Sequence, residues 1–248
     1  MPQNINDSYY MDDENIVSFY DEFVEKQRKT AINERIFRLY KRMLKLGLKS
    51  GSNVLELGCG IGAMTFLLSK TIKDGKIEAI DISGRSVAFS RDRIKNANVV
   101  FYEHDVVNYM SYIKDIDFIT LFDVIEHIPI EKHNELFYNI SLSCNNKTKI
   151  LINIPNPECV EYDIKNNPEA LQIIDQPVPL QFILKNLENN GLTLSYFETY
   201  SIWAENDYQF FVVKKKTDFN EILLKKNLFK RIIDKLNTVL IKIKYNYN

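Results

Sequence analysis

The 248-residue sequence has few cysteines, prolines and glycines, and it has no long uncharged stretch. Its three cysteines, Cys59, Cys144 and Cys159, are too few and odd in number for a disulfide framework, which favours a reducing compartment. The longest uncharged stretch, 57–69, has thirteen residues including three glycines, whereas a membrane-spanning helix needs about 18 or more apolar residues. The first fifteen residues are polar and acidic, unlike a signal peptide. We therefore expect a soluble, cytoplasmic protein.

The overall composition is that of a globular protein. Hydrophobic residues make up 45% of the chain and charged residues 26%, which excludes a disordered chain or a fibre. A chain of this length can bury a full core, and it predicts one α/β or all-β domain with additions.

The net charge of −1 hides an uneven distribution. Residues 214–248 contain ten Lys/Arg and three Asp/Glu, a net of +7, which leaves −8 for the preceding 213 residues. An acidic body repels phosphate backbones, so we expect no nucleic-acid partner.

Apolar residues recur every three or four positions over 221–243, which predicts a basic amphipathic helix. This helix can pack on the body of the protein or on a second subunit, it can lie on anionic lipid or a membrane-bound partner, or it can be a frayed tail. A peripheral position at the inner face of the membrane is therefore a further expectation, and the oligomeric state is open. The apolar residues of the pattern are Leu224, Leu228, Ile232, Leu236, Val239 and Ile243.

Seven of the eight glycines lie between Gly47 and Gly84. A short apolar segment, 53–57, leads directly into a glycine-rich turn, 58–62, and a helical segment follows at 63–70. A strand, a glycine turn and a helix in this order form the first unit of a nucleotide-binding α/β sheet. The G-x-G-x-G spacing lacks the G-x-G-x-x-G pattern of dinucleotide binders, which makes a dehydrogenase a poor interpretation.

Strands and helices continue to alternate after this turn, which predicts a mostly parallel sheet covered on both faces. Asp81 ends the second strand, nineteen residues after Gly62. A carboxylate at that place can accept hydrogen bonds from both hydroxyls of a ribose. The predicted strands are 53–57, 76–81, 99–104, 118–122, 150–154, 192–199 and 208–213; the predicted helices include 19–46, 63–70, 84–95 and 131–142.

Four segments together resemble the signature segments of class I S-adenosylmethionine-dependent methyltransferases. They are Val54–Gly62, Asp81–Ile82, His104–Val106 and Asp123–Pro129. The resemblance covers about residues 50–215. It implies a Rossmann-like, doubly wound, seven-stranded sheet that is mostly parallel with an antiparallel last strand. The expected organisation is an N-terminal helical lid at 1–48, a methyltransferase domain at 49–215 with an acceptor-side insertion at 155–190, and the C-terminal helix at 216–248.

The resemblance also implies the residues that hold S-adenosylmethionine, which would leave as S-adenosylhomocysteine. The methionine end would lie on the glycine turn and on one carboxylate of the preceding strand. An unpaired carboxylate within an apolar strand is costly, which favours a role for it in binding. The cysteine of the turn is small enough to be a packing residue and is not expected to be a nucleophile. The residues are Glu56, Gly58, Cys59, Gly60 and Gly62.

The nucleoside end would contact the ends of the next strands. The resemblance implies that Asp81 binds the ribose, Ile82 packs on the adenine, and Asp105 with the Val106 amide contacts the adenine edge. Phe122 would lie near the sulfonium. Both aspartates can alternatively cap the helices that follow them.

The helix before the first strand covers the cofactor in related small-molecule enzymes. Tyr20 is therefore a further cofactor-binding candidate, with Gln27 and Arg35 as weaker ones that would reach the cofactor carboxylate.

His127 is the candidate catalytic base, because a hydroxyl acceptor must lose its proton and an unperturbed imidazole titrates near neutral pH. It can alternatively cap the turn before Pro129, and Glu126 is the second candidate base. His104 and His133 are interpreted as structural. The three histidines and the cysteine spacing predict no metal site.

The stretch 155–182 and the last loop are expected to shape the acceptor pocket. Their resemblance to methyltransferases of bacterial surface-polysaccharide and secondary-metabolite pathways makes O-methylation of a sugar, nucleotide-linked sugar, glycan or other polar small molecule the leading prediction. A quinone or lipid-like acceptor and a non-catalytic cofactor-binding scaffold protein are the alternatives. The candidate acceptor contacts are Asn153, Asn156, Tyr162, Asp175, Gln176, Tyr200, Trp203 and Tyr208.

Overall fold

Strands and helices alternate along most of the chain. The computed structural model describes residues 13–218 and 227–246. The strands are β1 (Val54–Leu57), β2 (Ile77–Asp81), β3 (Val99–Glu103), β4 (Phe118–Phe122), β5 (Lys149–Pro155), β6 (Leu192–Tyr200) and β7 (Tyr208–Lys215). The α-helices of the described residues are α1 (Asp13–Thr30), α2 (Glu34–Lys45), α3 (Ala63–Thr71), α4 (Gly84–Arg93), α5 (His133–Ser143), α6 (Pro157–Asn166), α7 (Leu180–Asn189) and α8 (Leu228–Lys244).

The seven strands form one sheet in the order β3-β2-β1-β4-β5-β7-β6. Strands β1 to β5 pair in parallel, and β7 runs antiparallel to both β5 and β6. The predicted Rossmann-like sheet with an antiparallel last strand is therefore confirmed. The strand order reverses between β1 and β4, and ligands of open α/β sheets bind beyond the carboxyl ends of strands at such a point.

Side chains of the central strands alternate between two apolar layers. Leu55 and Ile119 pack in a cluster with α5, whereas Val54 and Phe118 pack in a second cluster with α2 and α3. This alternation follows from the two-residue period of a strand. All four residues of β1 are buried, so the strand that leads into the glycine turn has a fixed position.

The prediction of a single helix over 19–46 is wrong. The helical segment is interrupted between α1 and α2, where Ala31 adopts a left-handed φ of 37°. The Asn33 side chain then accepts a hydrogen bond from the Ile36 backbone N–H at 3.0 Å and caps α2. Asn favours such caps because its side chain replaces a missing backbone partner, and it can do so without any Pro or Gly to mark the break.

The chain divides into two compact units, 1–216 and 217–248. The second unit contains α8, which begins at Leu228, so the predicted helix over 221–243 is described only from there onward. Residues 221–226, including Leu224 of the amphipathic pattern, lie outside the described residues, as do the first twelve residues of the predicted lid. None of the described helices has the length and apolar character needed to cross a membrane.

Candidate active site

The glycine turn follows β1 and lies against the end of β2. The backbone N–H groups of Gly58 and Cys59 both donate to the Ile80 carbonyl at 2.8 Å. Gly58 has a φ of 76°, and a Cβ at this position would overlap the Val124 side chain. Only glycine combines a left-handed φ with this close approach, which explains its place in the turn.

Asp81 fastens this turn to the end of β2. Its carboxylate accepts the Gly60 N–H at 2.7 Å and the Ser83 N–H at 2.9 Å. Burial raises the pKa of Asp81, although these hydrogen bonds oppose the rise. Each oxygen of a carboxylate can accept more than one hydrogen bond, so Asp81 keeps capacity for a ligand.

Glu56 is a buried carboxyl group on β1, 4% exposed. The Thr65 hydroxyl donates to its Oε2 at 2.7 Å, and burial raises its pKa to about 8. Burial likewise raises the pKa of the neighbouring Cys59 thiol, so this cysteine is not a thiolate. A carboxyl group whose pKa is raised in this way can ionise when a positively charged ligand binds beside it.

The remaining cofactor-binding candidates lie at or just after the ends of β2, β3 and β4. Asp105 accepts the Val107 N–H at 2.9 Å and so caps a short 3₁₀ turn, which agrees with the alternative capping role. Val106 is buried, and Ile82 and Phe122 are half-buried.

A cavity of about 570 Å³ connects these residues with the acceptor-side candidates. Pockets for small molecules commonly fall between about 300 and 1,000 Å³. Of the predicted cofactor-binding and catalytic residues, Gly62 alone is not part of its lining. Gly62 precedes α3 with a φ of 75°, and a Cβ there would lie 2.8 Å from the Ser90 hydroxyl, so its role is in packing. The predicted residues in the lining are Tyr20, Glu56, Gly58, Cys59, Gly60, Asp81, Ile82, Asp105, Val106, Phe122 and His127.

His127 lies on a 3₁₀ turn after β4 and contacts residues 174 and 175, which lie between α6 and α7. Its Nδ1 lies 2.6 Å from the Ile174 carbonyl and 3.0 Å from Asp175 Oδ1, and both neighbours are acceptors, so Nδ1 carries a proton. Burial lowers the pKa of His127, but Glu126 and Asp175 more than offset this effect and raise it above its usual range. The two carboxyl groups therefore favour the charged form of the imidazole, and the Gln172 side-chain amide lies 3.2 Å from its Nε2.

Glu126 is the buried carboxyl group beside His127. It is 1% exposed, and neither of its carboxyl oxygens has a hydrogen-bond partner within the described chain. Oε1 lies 3.9 Å from His127 Nε2. Burial raises the pKa of Glu126. A buried polar group without a partner is costly, so its presence in a cavity wall points to a ligand.

A largely buried ion pair also belongs to the cavity wall. Arg35 Nη2 is 2.5 Å from Asp123 Oδ2, and Arg35 Nη1 donates to the Tyr208 hydroxyl at 2.6 Å. The guanidinium also lies 5.7 Å from the centre of the Trp203 ring. Asp123 adopts a left-handed φ of 55°, which Asp tolerates better than most residues.

Sequence reasoning missed this pair, because it joins residues far apart in the chain. The only sequence signal for Asp123 was its place at the start of the segment Asp123–Pro129. Arg35 and Gln27, the weaker cofactor candidates, also line the cavity, and the Gln27 side chain lies against Gly60.

The predicted acceptor contacts divide into two groups. Asp175, Trp203 and Tyr208 line the cavity. Asn153 instead bonds inside the protein, because it accepts from the Tyr200 hydroxyl at 2.6 Å and donates to Asp123 at 3.2 Å. The predicted contacts that do not belong to the cavity lining are Asn153, Asn156, Tyr162, Gln176 and Tyr200.

Comparison with known proteins identifies the family. A family model described as a methyltransferase domain matches residues 24–220. This chain belongs to that methyltransferase family. The recognition as a class I methyltransferase and the assignment of S-adenosylmethionine as its cofactor are confirmed.

Curated relatives match a limited part of this methyltransferase. The malonyl-[acyl-carrier protein] O-methyltransferase of Acetivibrio thermocellus is 37% identical over 82 residues, which cover 33% of this chain and 27% of the relative. That of Bacillus anthracis is 33% identical over 87 residues, which cover 35% of this chain and 31% of the relative. The matched segment thus spans less than a third of either relative.

Solved structures match over most of the chain. The magnesium protoporphyrin IX methyltransferase of Synechocystis, solved with bound SAH, aligns with a TM-score of 0.65 and 14% identity, covering 82% of this chain and 99% of that one. At this identity the similarity concerns the fold.

Proposed function

We propose that this protein transfers the methyl group of S-adenosylmethionine to a hydroxyl oxygen of a polar small molecule, with a sugar or nucleotide-linked sugar as the leading acceptor class. The observation that carries the proposal is one cavity that joins the glycine turn, Asp81 and Glu126, whose carboxyl oxygens have no hydrogen-bond partner in the described part of the chain. The O-methyltransferases among the curated relatives support oxygen as the acceptor atom.

The polar groups and the exposed backbone of the cavity wall suit S-adenosylmethionine. A side chain at Gly58 would overlap Val124 and one at Gly60 would crowd Gln27, and the Tyr20 hydroxyl is buried in the cavity wall without a hydrogen-bond partner among the described residues. In the proposed arrangement Glu56 and the backbone of Gly58, Cys59 and Gly60 hold the methionine end, and Asp81 binds the ribose hydroxyls. A positively charged amino group near Glu56 would favour the ionised form of that carboxyl group.

The nucleoside end is proposed to lie against the residues after β2 and β3. Ile82 packs on the adenine, Asp105 and the Val106 amide contact its edge, and Phe122 lies near the sulfur. Tyr20 closes the site from α1. The cofactor supplies an activated methyl group, and the protein contributes mainly by orienting the acceptor, which can lower a barrier by several kcal/mol.

Proton removal is proposed to use the Glu126–His127 pair. This proposal keeps His127 in the catalytic site but gives the proton to Glu126, whose oxygens have no hydrogen-bond partner among the described residues. The charged His127 stabilises the ionised carboxylate and, through Ile174 and Asp175, holds the insertion in place. A base whose pKa lies near the working pH contributes about 10²–10⁴ in rate.

The same pair favours a hydroxyl acceptor over a carboxylate. A hydroxyl group can donate its proton to Glu126, and its oxygen then carries the lone pair that attacks the methyl carbon. An acceptor carboxylate has no proton to give and would lie beside the Glu126 and Asp175 carboxyl groups, which disfavour another negative charge.

Calorimetric titration with S-adenosylmethionine, S-adenosylhomocysteine and NAD is the first test. We expect binding of the first two compounds and none of NAD. A panel of nucleotide-linked sugars, phenols and carboxylic acids is then incubated with the protein and S-adenosylmethionine, and methylated products are detected by mass spectrometry. Cofactor binding without turnover on any member would contradict the acceptor proposal and favour the scaffold alternative. Methylation confined to carboxylic acids would contradict the role of Glu126.

A further inference from the structure

Helix α8 has a narrow and continuous apolar face. At about 100° per residue, seven apolar side chains fall within an arc of about 120°. Ile241 lies outside this arc. All seven are between 41% and 71% exposed. They are Phe229, Ile232, Ile233, Leu236, Val239, Leu240 and Ile243.

Basic side chains border this arc on both sides. Arg231, Lys235 and Lys242 project along one edge, and Lys230 and Lys244 project along the other, at the same 100° step. Residues 227–246 contain these five cations and one acid, Asp234, a net charge of +4. Lys and Arg at the edges of an apolar face can keep their charge in water while their methylene groups lie against an apolar phase.

We propose that α8 binds the surface of a membrane that contains anionic lipids, with its axis parallel to the surface and the apolar arc facing the acyl chains. In this orientation the two rows of cations reach the lipid phosphates, while Asp234 and Thr238 face water. An amphipathic helix with a charged face and basic borders is the form that binds in the interfacial plane.

A second copy of the helix is a poorer occupant. Two copies that met through their arcs would bring their basic borders together, and the single acid of 227–246 cannot neutralise five cations. Like charges beside an apolar seam oppose association, whereas an anionic surface attracts both borders.

The test uses the full-length protein and sedimentation with vesicles. One set of vesicles is phosphatidylcholine alone, and the other is an equal mixture of phosphatidylcholine and phosphatidylglycerol. We expect at least about tenfold stronger partitioning onto the mixed vesicles, with a decrease as salt screens the charges.

Two matched pairs of variants separate the apolar arc from the charge. Leu236→Glu places an acid at the centre of the arc, and Thr238→Glu places the same charge on the opposite face. Leu236→Glu should lower partitioning onto the mixed vesicles at least about tenfold more than Thr238→Glu does. The double variant Lys235→Gln/Lys242→Gln removes two border cations. Its control, Lys114→Gln/Lys147→Gln, removes two exposed cations from the first unit, 1–216. Only the α8 pair should weaken binding to mixed vesicles strongly.

Three results would overturn the proposal. The first is an absence of sedimentation with the mixed vesicles. The second is an equal effect of Leu236→Glu and Thr238→Glu. The third is a stable dimer in analytical ultracentrifugation that Leu236→Glu dissociates while vesicle binding is absent, which would assign the arc to a second copy. Calorimetry with S-adenosylmethionine on each variant checks that the first unit, 1–216, is folded.

Discussion

The Asp81 carboxylate accepts the backbone N–H of Gly60 at 2.7 Å and thereby joins the end of β2 to the glycine turn after β1. One side chain thus positions the backbone that approaches the ligand and lies in the wall of the same cavity. Loss of this carboxylate removes a proposed ribose contact and also releases the turn.

Asp81→Ala should abolish measurable binding of S-adenosylmethionine, because both effects reduce affinity together. Calorimetric titration measures the loss. Asp92→Ala is the matched control, since Asp92 lies on α4 in an exposed ion pair with Lys95. Tight cofactor binding by Asp81→Ala would remove the central assignment of the site.

Three glycine-to-alanine variants should differ in stability according to the backbone φ at each position and the atoms that the new Cβ contacts. Gly51→Ala meets nothing within 4 Å and should change the free energy of unfolding little. Gly191→Ala also meets nothing, but its φ of 63° is left-handed, and the cost should be about 1–2 kcal/mol. Gly58→Ala adds an overlap with Val124 to a left-handed φ, so the cost should be about 1–3 kcal/mol larger than for Gly191→Ala.

Urea denaturation of the three variants measures this order. Equal losses at Gly58 and Gly191 would show that Val124 moves aside freely and that close packing does not constrain the turn.

Glu126→Gln and His127→Ala should each lower turnover by about 10²–10⁴ while leaving cofactor affinity unchanged, because both act on proton removal. Burial raises the pKa of Glu126, and only the ionised carboxylate can accept a proton. Wild-type kcat should therefore continue to rise with pH through the neutral range, whereas an ordinary carboxylate with a pKa of about 4.3 would already be ionised there.

Steady-state kinetics across the pH range, with an acceptor from the screen, tests this prediction. Glu131→Gln, an exposed carboxyl on the neighbouring turn, is the control and should behave as the wild type. Full turnover of Glu126→Gln would move the base elsewhere.

Arg35→Ala should destabilise the fold by about 3–5 kcal/mol, because it leaves the buried Asp123 carboxylate without its cation. Arg38→Ala, one turn later on the same helix, removes an exposed ion pair with Glu34 and an exposed hydrogen bond to the Ser201 carbonyl, and it should cost about 1 kcal/mol or less. Thermal and urea unfolding of the two variants compare a buried and an exposed pair on α2. A small loss in Arg35→Ala would mean that Asp123 takes up a proton or finds water in the variant.

The strands and the glycine turn could be predicted from the sequence because their signals are local. Apolar runs, glycine spacing and the acid at the end of β2 each lie within a few residues of the structure that they specify. The break at Ala31 was missed because no Pro or Gly marks it, and a single capping residue, Asn33, was its only local signal. The Arg35–Asp123 pair and the contacts of His127 with Ile174 and Asp175 were missed because they depend on tertiary packing, which no periodicity encodes.

The position of β7 between β5 and β6 has a consequence for synthesis of the chain. The β5 edge, Lys149–Pro155, finds its partner only when Tyr208–Lys215 has been made. Until then the nascent sheet presents an apolar, unpaired edge that can join other chains. Translational stalling or proteolytic cleavage within the loop before β7 should therefore yield fragments that aggregate.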